Sequence, residues 1–263
     1  MVYDAEMELP ITVQGEELAV SATTYVAFRQ CPASAVARLR GVYGPESRAS
    51  FKGTLAHRIF ARHLEEGPID SDAVAQACRE EIGKGLNAKL TAVGLKPSEL
   101  GMVIQEVADL YKRFQALSVE GFRSAEVYID VDAGSKVTLR GRIDAVFDAD
   151  DGGTRLIDWK TGRLGDAEDQ LAFYALAWVA NTGDRPSRIE ALSVQTGERS
   201  EQTPSEESIQ ATAGAIGNLV DTVRTIFSSG ESGERRAGPW CRWCPILTEC
   251  TEGRAAIEVY AHG

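Results

Sequence analysis

Alternating apolar and polar residues predict β-strands in the middle of the chain. Apolar side chains recur at every second position from Val137 to Phe147, apart from Gly141, and a shorter alternation covers residues 124–132. Residues 155–161 predict another strand, joined to the one before it by the turn-rich residues 148–153. Such an arrangement is a hairpin. A last strand is predicted over residues 188–195.

A helical period marks the first half of the chain and the segments after the hairpin. The clearest amphipathic helix is predicted over residues 98–117, whose apolar residues share one face. Ser21 is a suitable N-cap for a helix that Cys31-Pro32 interrupts and that continues to about Leu39. Further helices are predicted over residues 54–66, 70–90, 168–180 and 205–227. Residues 41–53 are predicted to be a loop, and residues 1–20 irregular or a short strand.

Composition and charge indicate a globular protein and narrow its partners. Of the 263 residues, 43% are hydrophobic and 25% charged, which suffices for a sizeable core. The sequence has no apolar run near about 18 residues, and its start, with Asp4, Glu6 and Glu8, does not resemble a signal peptide. We therefore expect a cytoplasmic protein. The net charge of −11 argues against a protein that coats duplex DNA, but not against a nuclease whose carboxylates hold metal ions.

The predicted hairpin carries the candidate chemistry. Side chains two apart on a strand share a face, so Asp158 and Lys160 point the same way while Ile157 and Trp159 point into the opposite layer. Asp144 lies on the preceding strand. On its own, an Asp-X-Lys sequence is more often an exposed ion pair, with Asp144 an unrelated surface acid. The case for a site depends on which other residues converge there.

Several polar residues could converge on the hairpin. His57 lies on the apolar stripe of the helix over residues 54–66, whereas His63 lies about 120° around that helix and is predicted at the surface. Glu126 begins a strand with one apolar face. Gln170 and Tyr174 are four residues apart on the helix after the hairpin. The alternatives are a packed core histidine, a solvent-facing glutamate, and a helix with Tyr174 in the core and Gln170 at the surface.

The cysteines form a second cluster. A Gly- and Ser-rich linker, residues 228–238, leads to Cys241, Cys244 and Cys250, three thiols within ten residues. Cys-X-X-Cys spacing favours binding of a metal or a metal cluster, and zinc and iron–sulfur remain alternatives. A fourth thiol would be Cys31 or Cys78, although Cys78 is more typical of a buried helix thiol.

The order of these motifs resembles a known family over nearly the whole chain. A strand acid, Gly-X-X-Asp, Asp-Trp-Lys-Thr-Gly and Gln-X-X-X-Tyr follow one another as in PD-(D/E)XK nucleases of the RecB-like branch, which includes Cas4 and the AddB nuclease domain. The resemblance implies an α/β protein with a restriction-endonuclease-like core, a small mixed sheet flanked by helices. It implies one nuclease domain over residues 1–263, divided into a mainly helical part (21–120), the nuclease core (121–227) and a linker with an iron–sulfur segment (228–263).

The same resemblance assigns roles to the candidate residues. It implies that Mn²⁺ or Mg²⁺ is held by His57, Asp144, Asp158 and the backbone carbonyl of Trp159. The imidazole favours manganese at least as much as magnesium. Lys160 matches the catalytic lysine and Glu126 the first-strand acid, which would act as an outer or second-metal ligand. Gln170 and Tyr174 match substrate-positioning residues, and a [4Fe-4S] cluster is implied on four cysteines: Cys31, Cys241, Cys244 and Cys250.

The function that this resemblance implies is metal-dependent hydrolysis of DNA, most specifically as a single-strand exonuclease in DNA processing, repair, recombination or CRISPR and phage DNA metabolism. The sequence lacks Gly-X-X-X-X-Gly-Lys, so a helicase or a CRISPR or recombination partner would be a separate chain. The alternative is an iron–sulfur module on the same scaffold that binds DNA or a partner protein without cleaving DNA. Strand polarity, the balance of exo- and endonuclease activity and a preference for RNA stay open.

Overall fold

The computed structural model describes residues 8–261, which form a mixed six-stranded sheet with helices packed on its two faces. The strands are β1 (Leu18–Ser21), β2 (Phe122–Asp132), β3 (Val137–Asp148), β4 (Thr154–Lys160), β5 (Arg188–Ser193) and β6 (Arg199–Gln202). The helices are α1 (Ala22–Gln30), α2 (Pro32–Leu39), α3 (Arg48–Glu66), α4 (Val74–Gly85), α5 (Asn87–Val93), α6 (Pro97–Phe114), α7 (Glu168–Thr182), α8 (Glu206–Ser229) and α9 (Thr251–Ala261). The predicted α/β class with a mixed central sheet is confirmed.

The two edges of β3 are used differently. One edge pairs antiparallel with β2 along nearly the whole strand. The other edge is divided between β1, parallel to residues 137–140, and β4, antiparallel to residues 145–148. Within the described residues, Gly141 to Asp144 therefore have no strand partner on that edge, and the sheet forks between β1 and β4. The sheet continues from β4 to β5 in parallel and to β6 in antiparallel orientation.

The side chains of β3 and β4 enter two separate cores. The single alternation predicted from Val137 to Phe147 is wrong, because β3 changes face at Asp144: Ile143 lies in one core, and Ala145 and Phe147 lie in the other. Val146 and Leu156 pack with α1, α7 and α8 on one face. Phe147, Ile157 and Trp159 pack with α3, α4 and α6 on the other. The prediction that Ile157 and Trp159 point away from the layer of Asp158 and Lys160 is thus confirmed. Both faces are covered because β3 and β4 carry apolar residues at consecutive positions near the fork.

One helix begins earlier than predicted, and one strand was not predicted. Helix α3 begins at Arg48, six residues before the predicted start, because Ser47 caps it by accepting a hydrogen bond from the N–H of Ser50. Phe51, in the segment predicted as a loop, is fully buried on this helix. Strand β6 was not predicted, since its four residues are polar and show no apolar alternation. Of residues 1–20, the part from Leu18 forms β1, and residues 1–7 lie outside the described residues.

His63 is buried, not at the surface as predicted from its position on α3. Only 8% of it is exposed, and its Nδ1 lies 2.7 Å from the hydroxyl of Tyr111. The reason is tertiary: α6 covers this side of α3, and the ring of Phe114 packs edge-on against the imidazole. A single-helix wheel does not show a second helix lying on its polar side.

No helix among the described residues combines the length and apolar character that a membrane span requires.

Candidate metal centre and cysteine segment

Asp144 lies on β3, at the fork between β1 and β4. Its Oδ2 accepts a hydrogen bond of 2.7 Å from the backbone N–H of Trp159, and its Oδ1 lies 3.0 Å from Nδ1 of His57. The last residue pair of the two strands is Ala145 with Ile157, so the carboxylate occupies the place where the next backbone pairing would be. Gly141 opens this place further, because a Cβ there would lie 3.2 Å from the Tyr174 ring.

Glu126 comes to the same point from β2. The pairs Ala125 with Ala145 and Val127 with Ile143 put Glu126 opposite Asp144. Its backbone has φ = +51°, which is unusual for a residue with a side chain and typical of functional positions. Ligand atoms of His57, Glu126 and Asp144 all lie within 4.8 Å of one another. The sequence candidates on α3, β2 and β3 are therefore brought together.

The pKa values of His57 and Glu126 reflect the proximity of Asp144. Burial by itself lowers the pKa of His57, but nearby carboxylates, Asp144 foremost, raise this pKa overall. Burial raises the pKa of Glu126, and the charge of Asp144 adds to the effect while Arg142 opposes it. The guanidinium of Arg142 lies 2.8 Å from Glu126. A partly buried acid whose pKa a second carboxylate raises, beside an imidazole, is an environment that a bound cation stabilises.

Asp158 and Lys160 form a second group on the neighbouring strand. The Nζ of Lys160 lies 2.6 Å from Oδ2 of Asp158 and donates to Oε1 of Gln170 at 2.6 Å. The amide of Gln170 in turn donates to Oδ1 of Asp158 at 2.9 Å and to the Tyr174 hydroxyl at 3.4 Å. Gln170 and Tyr174 therefore face the hairpin. Gln170 is not turned to the surface, which was the alternative for α7.

Asp158 is the most strongly perturbed acid of the site. Burial, followed by the charge of Asp144, raises its pKa from 3.8 to about 6, although Lys160 opposes the shift. Its Oδ2 lies 2.6 Å from the ammonium of Lys160, and its Oδ1 accepts from the amide of Gln170. Asp158 lies outside the closely spaced group of His57, Glu126 and Asp144.

The donors of this site suit a divalent cation. Carboxylate oxygens are the preferred ligands of Mg²⁺ and Mn²⁺, and an imidazole nitrogen is tolerated better by Mn²⁺. The buried carboxylate of Asp158, paired with Lys160, offers further oxygens on the adjacent strand. The residues present thus fit a divalent metal ion. The Trp159 backbone takes part through its N–H, which holds Asp144, while its ring packs edge-on against Phe114.

The cysteine segment closes onto the helix break at Cys31. The N–H of Ala33 donates to the Glu234 carbonyl at 3.0 Å, which fastens the linker beside Cys31. Cys31 lines one small cavity together with Cys241, Cys244 and Cys250. Backbone N–H groups point at three of these sulfurs: Arg236 to Cys31 at 3.4 Å, Gly238 to Cys241 at 3.4 Å and Gly253 to Cys250 at 3.3 Å.

The spacing of the sulfurs bears on what they could hold. Among the described residues, the group of His57, Glu126 and Asp144 is the one set of three metal-binding side chains with mutual ligand distances within 4.8 Å, so no three cysteine sulfurs approach one another that closely. Tetrahedral zinc with Zn–S bonds of about 2.3 Å would bring its sulfurs to roughly 3.8 Å apart. In the conformation described, the thiols that a single zinc ion requires are not drawn together to that distance.

Cys78 lies elsewhere. It is fully buried on α4 among apolar side chains, and burial raises its pKa to about 12. Sequence reasoning left Cys31 and Cys78 as alternatives for the fourth thiol, and the structure brings Cys31, not Cys78, to the other three.

Two residues near the site were missed by the sequence analysis. Arg142 precedes Asp144 by two residues on β3, and this same-face spacing could have indicated that it accompanies Asp144. Arg38 lines a cleft that reaches from Lys160 to Trp243. No local signal marks Arg38, since α2 and the cysteine segment meet only in the folded chain.

Comparison with solved structures shows a shared fold. The structure aligns with that of a "Putative exonuclease" from Eubacterium rectale with a TM-score of 0.52 and 13% sequence identity, covering 89% of this chain and 88% of that one. Weaker similarity is found to the protein SSO0001, with a TM-score of 0.36, 17% identity and coverage of 76% and 98%. It is also found to VC1899 from Vibrio cholerae, with a TM-score of 0.25, 14% identity and coverage of 75% and 60%.

A search of curated proteins finds no match to the sequence. The sequence profile of the PD-(D/E)XK nuclease superfamily, in contrast, matches residues 19–251, a range that contains both the fork in the sheet and the cysteine segment. Because this match covers most of the chain, and the fold and the acidic site agree with it, the chain belongs to the PD-(D/E)XK nuclease superfamily of metal-dependent nucleases.

Proposed function

We propose that this protein is a deoxyribonuclease that hydrolyses single-stranded DNA from free ends and carries a [4Fe-4S] cluster. The observation that carries the nuclease part is the convergence at the fork of His57, Glu126 and Asp144 beside the pair of Asp158 and Lys160. The proposal takes residues 1–263 as one nuclease domain with a helical part (21–120), a core (121–227) and an iron–sulfur segment (228–263).

Each side chain of the site has a proposed role. His57, Asp144 and Asp158, with the Trp159 carbonyl, would hold Mn²⁺ or Mg²⁺, and Glu126 would be an outer or second-metal ligand. When bound, the metal supplies an activated water and neutralises charge at the phosphate. The N–H of Trp159 and the imidazole of His57 fix both oxygens of Asp144 in place. Because the site combines the imidazole of His57 with carboxylates, we expect activity with Mn²⁺ to equal or exceed that with Mg²⁺.

Lys160 would orient the attacking water and stabilise the negative charge that develops on the phosphate oxygens. Gln170 holds its ammonium by accepting a hydrogen bond of 2.6 Å, and thereby limits the orientations of a long, flexible side chain. Gln170 and Tyr174, which are hydrogen-bonded to each other, would position the substrate phosphate beside Lys160. Lys160, Gln170 and Tyr174 are held next to one another before substrate binds, as these roles require.

The cysteine segment supports a cluster rather than a single metal ion. Thiolates that bind a cubane cluster are separated by iron and sulfide atoms, so they stand farther apart than around a single zinc ion. Cys31, Cys241, Cys244 and Cys250 line one small cavity, which is consistent with the proposed cluster. Backbone N–H groups aimed at sulfurs are the usual means of stabilising a negatively charged cluster. The cluster would join α2 to the C-terminal segment, some 210 positions apart in sequence.

The substrate and partners follow from the same proposal. Free single strands would be supplied by a helicase or by a CRISPR or recombination partner. The competing function is an iron–sulfur module that binds DNA or a partner without cleaving it. The filled set of site positions favours the enzyme.

Cleavage of end-labelled linear and of circular single-stranded DNA in Mn²⁺ tests the proposal. We expect the parent to degrade linear strands from an end, to leave circular strands largely intact, and to lose at least about 100-fold of its rate on Lys160→Ala. Lys112→Ala is the matched control, because this exposed lysine lies on α6, away from the fork. Equal rates for Lys160→Ala and the parent would contradict the assigned chemistry, and absence of cleavage with intact binding would favour the non-enzymatic module.

The cluster is tested separately on anaerobically purified protein. We expect a brown protein with broad visible absorption and about four irons per chain. A colourless protein that contains zinc would overturn the cluster without affecting the hydrolytic site.

A further inference from the structure

A cleft of about 350 Å³ connects the hydrolytic site to the cysteine segment. Lys160 and Gln170 lie at one end of it, Trp240 and Trp243 at the other, and Arg38 of α2 lies along its wall. Thr23 and Arg38 also line an adjoining cleft of about 320 Å³, which reaches Tyr43. We call the two together the Trp243 cleft.

The charge of the Trp243 cleft is unlike that of the chain as a whole. The net charge is −11, yet none of the described residues that line the larger part is an aspartate or glutamate, while Arg38 and Lys160 are cations. The Nε of Arg38 is buried and has no hydrogen-bond partner among residues 8–261. Arg38 lines both parts of the cleft, and among the described lining residues the one carboxylate, Glu17, lies in the smaller part only. A guanidinium in such a place matches a phosphate group.

Exposed aromatic rings accompany these cations. Trp243 is 69% exposed and Tyr43 is 70% exposed, although both residue types are usually covered in folded proteins. The guanidinium of Arg242 lies 5.1 Å from the centre of the Trp243 ring, and the high exposure leaves ring surface open to solvent. Neighbouring loops bring the two aromatics near each other, since a Cβ on Gly44 would lie 3.9 Å from the Trp243 carbonyl.

We infer that the Trp243 cleft binds the single strand on its way to Lys160, with bases stacked on Trp243 and Tyr43 and a phosphate on Arg38. Unpaired bases have free faces for an aromatic ring, whereas bases within a duplex are covered by their neighbours. This inference rests on the proposed function and extends it, because it assigns strand binding to residues outside the hydrolytic site. The cysteine segment would then hold Trp243 at the mouth of the cleft.

Binding is measured by fluorescence anisotropy with a labelled oligothymidylate in EDTA, so that cleavage does not occur. We expect Trp243→Ala to weaken binding about 10-fold, as for the loss of one stacked base, and Trp243→Phe to retain most of it. A strand with abasic sites should bind the parent more weakly than oligothymidylate does, and Trp243→Ala should reduce this difference. Tyr260→Ala, an exposed tyrosine on α9 that lines neither part of the cleft, is the matched control and should bind as the parent does.

Salt dependence separates the phosphate contact from the stacking contact. Arg38→Gln should lower the slope of log affinity against log salt by about 0.7, the value for one phosphate contact with a single strand. Trp243→Ala should leave the slope unchanged, because a stacked base releases no counterion. Lys112→Ala controls for the general loss of a positive charge.

The results distinguish this inference from the proposed function. A parent that cleaves single strands, with unchanged binding by Trp243→Ala and Arg38→Gln, would overturn the inference and leave the nuclease intact. Trp243→Ala could also weaken binding without changing the difference in affinity between oligothymidylate and the abasic strand. That result would show that Trp243 supports the structure and does not stack on a base, and it would overturn the inference. A parent that binds through these residues but never cleaves would support the inference and contradict the proposed hydrolysis.

Discussion

The backbone N–H of Trp159 donates a hydrogen bond to Oδ2 of Asp144 over 2.7 Å, across the fork where β3 and β4 have stopped pairing. The carboxylate thus takes over the role of a strand carbonyl, and this holds it in the gap with its other oxygen toward His57. A buried acid that is oriented by main chain on one side and by imidazole on the other is preorganised for a cation.

Asp144→Asn should abolish most of the activity while the fold persists. The amide oxygen can still accept from Trp159, but the site loses a negative charge, so we expect the rate in Mn²⁺ to fall at least about 100-fold and stability to change by only about 1 kcal/mol. Cleavage rates and thermal unfolding of the same preparations measure both. Asp148→Asn, at the exposed end of β3, is the matched control. A variant with parental activity would remove Asp144 from the site.

The pH dependence of stability should reveal the raised pKa of Asp158. In the metal-free protein this carboxyl binds a proton up to about pH 6, whereas in the unfolded chain it does so only up to 3.8. Between these pH values the folded state therefore binds more protons than the unfolded chain does. The Asp158 carboxyl stabilises the fold by up to about 3 kcal/mol below pH 3.8, and this stabilisation is lost as the pH rises through 6. The stability of Asp158→Asn should not fall in this way as the pH rises.

Unfolding curves of the parent and Asp158→Asn between these pH values measure the effect, since acids remote from the site contribute equally to both proteins. Added Mn²⁺ should raise the melting temperature of the parent more above pH 6 than at pH 5, because below the pKa the ion must displace a proton. Parallel curves for the two proteins would show that the Asp158 pKa is ordinary.

The cysteines should differ sharply in accessibility and in their effect on the proposed cluster. Cys31→Ala should remove the visible absorption, whereas Cys78→Ala should keep it and cost about 1 kcal/mol of stability from the small cavity. In cluster-free folded protein, Cys78 should resist alkylation up to high pH, because it is fully buried and its pKa is raised to about 12. Mass-spectrometric mapping of the labelled thiols measures this. Rapid labelling of Cys78 in the folded state would be inconsistent with its burial.

Tyr111→Phe should destabilise the fold without affecting metal binding. The hydroxyl accepts from the N–H of Ile69 at 2.7 Å and lies 2.7 Å from Nδ1 of His63, so its loss leaves two buried polar groups without a partner. We expect a loss of about 1–3 kcal/mol in the free energy of unfolding. Chemical denaturation and Mn²⁺ titration of the same variant separate the two effects. A large change in Mn²⁺ affinity would connect His63 to the metal site.

Much of the site could be predicted because it depends on local periodicity. The alternation around Asp158 fixed Lys160 on the same face and Trp159 on the other, and the structure has both. The helical spacing of Gln170 and Tyr174 likewise put both on one face of α7. These relationships follow from strand and helix geometry, which the sequence controls over a few residues.

The sequence by itself determined the family, the order of its motifs and the faces of single strands and helices. Only the tertiary structure decided that β1 and β4 share an edge of β3, that α6 buries His63, and that Cys31, not Cys78, meets the C-terminal cysteines. It also placed Arg38 and Trp243 in one cleft. The physical reason is that these outcomes depend on contacts between segments far apart in the chain, and no local pattern of apolar and polar residues encodes which surface will cover another.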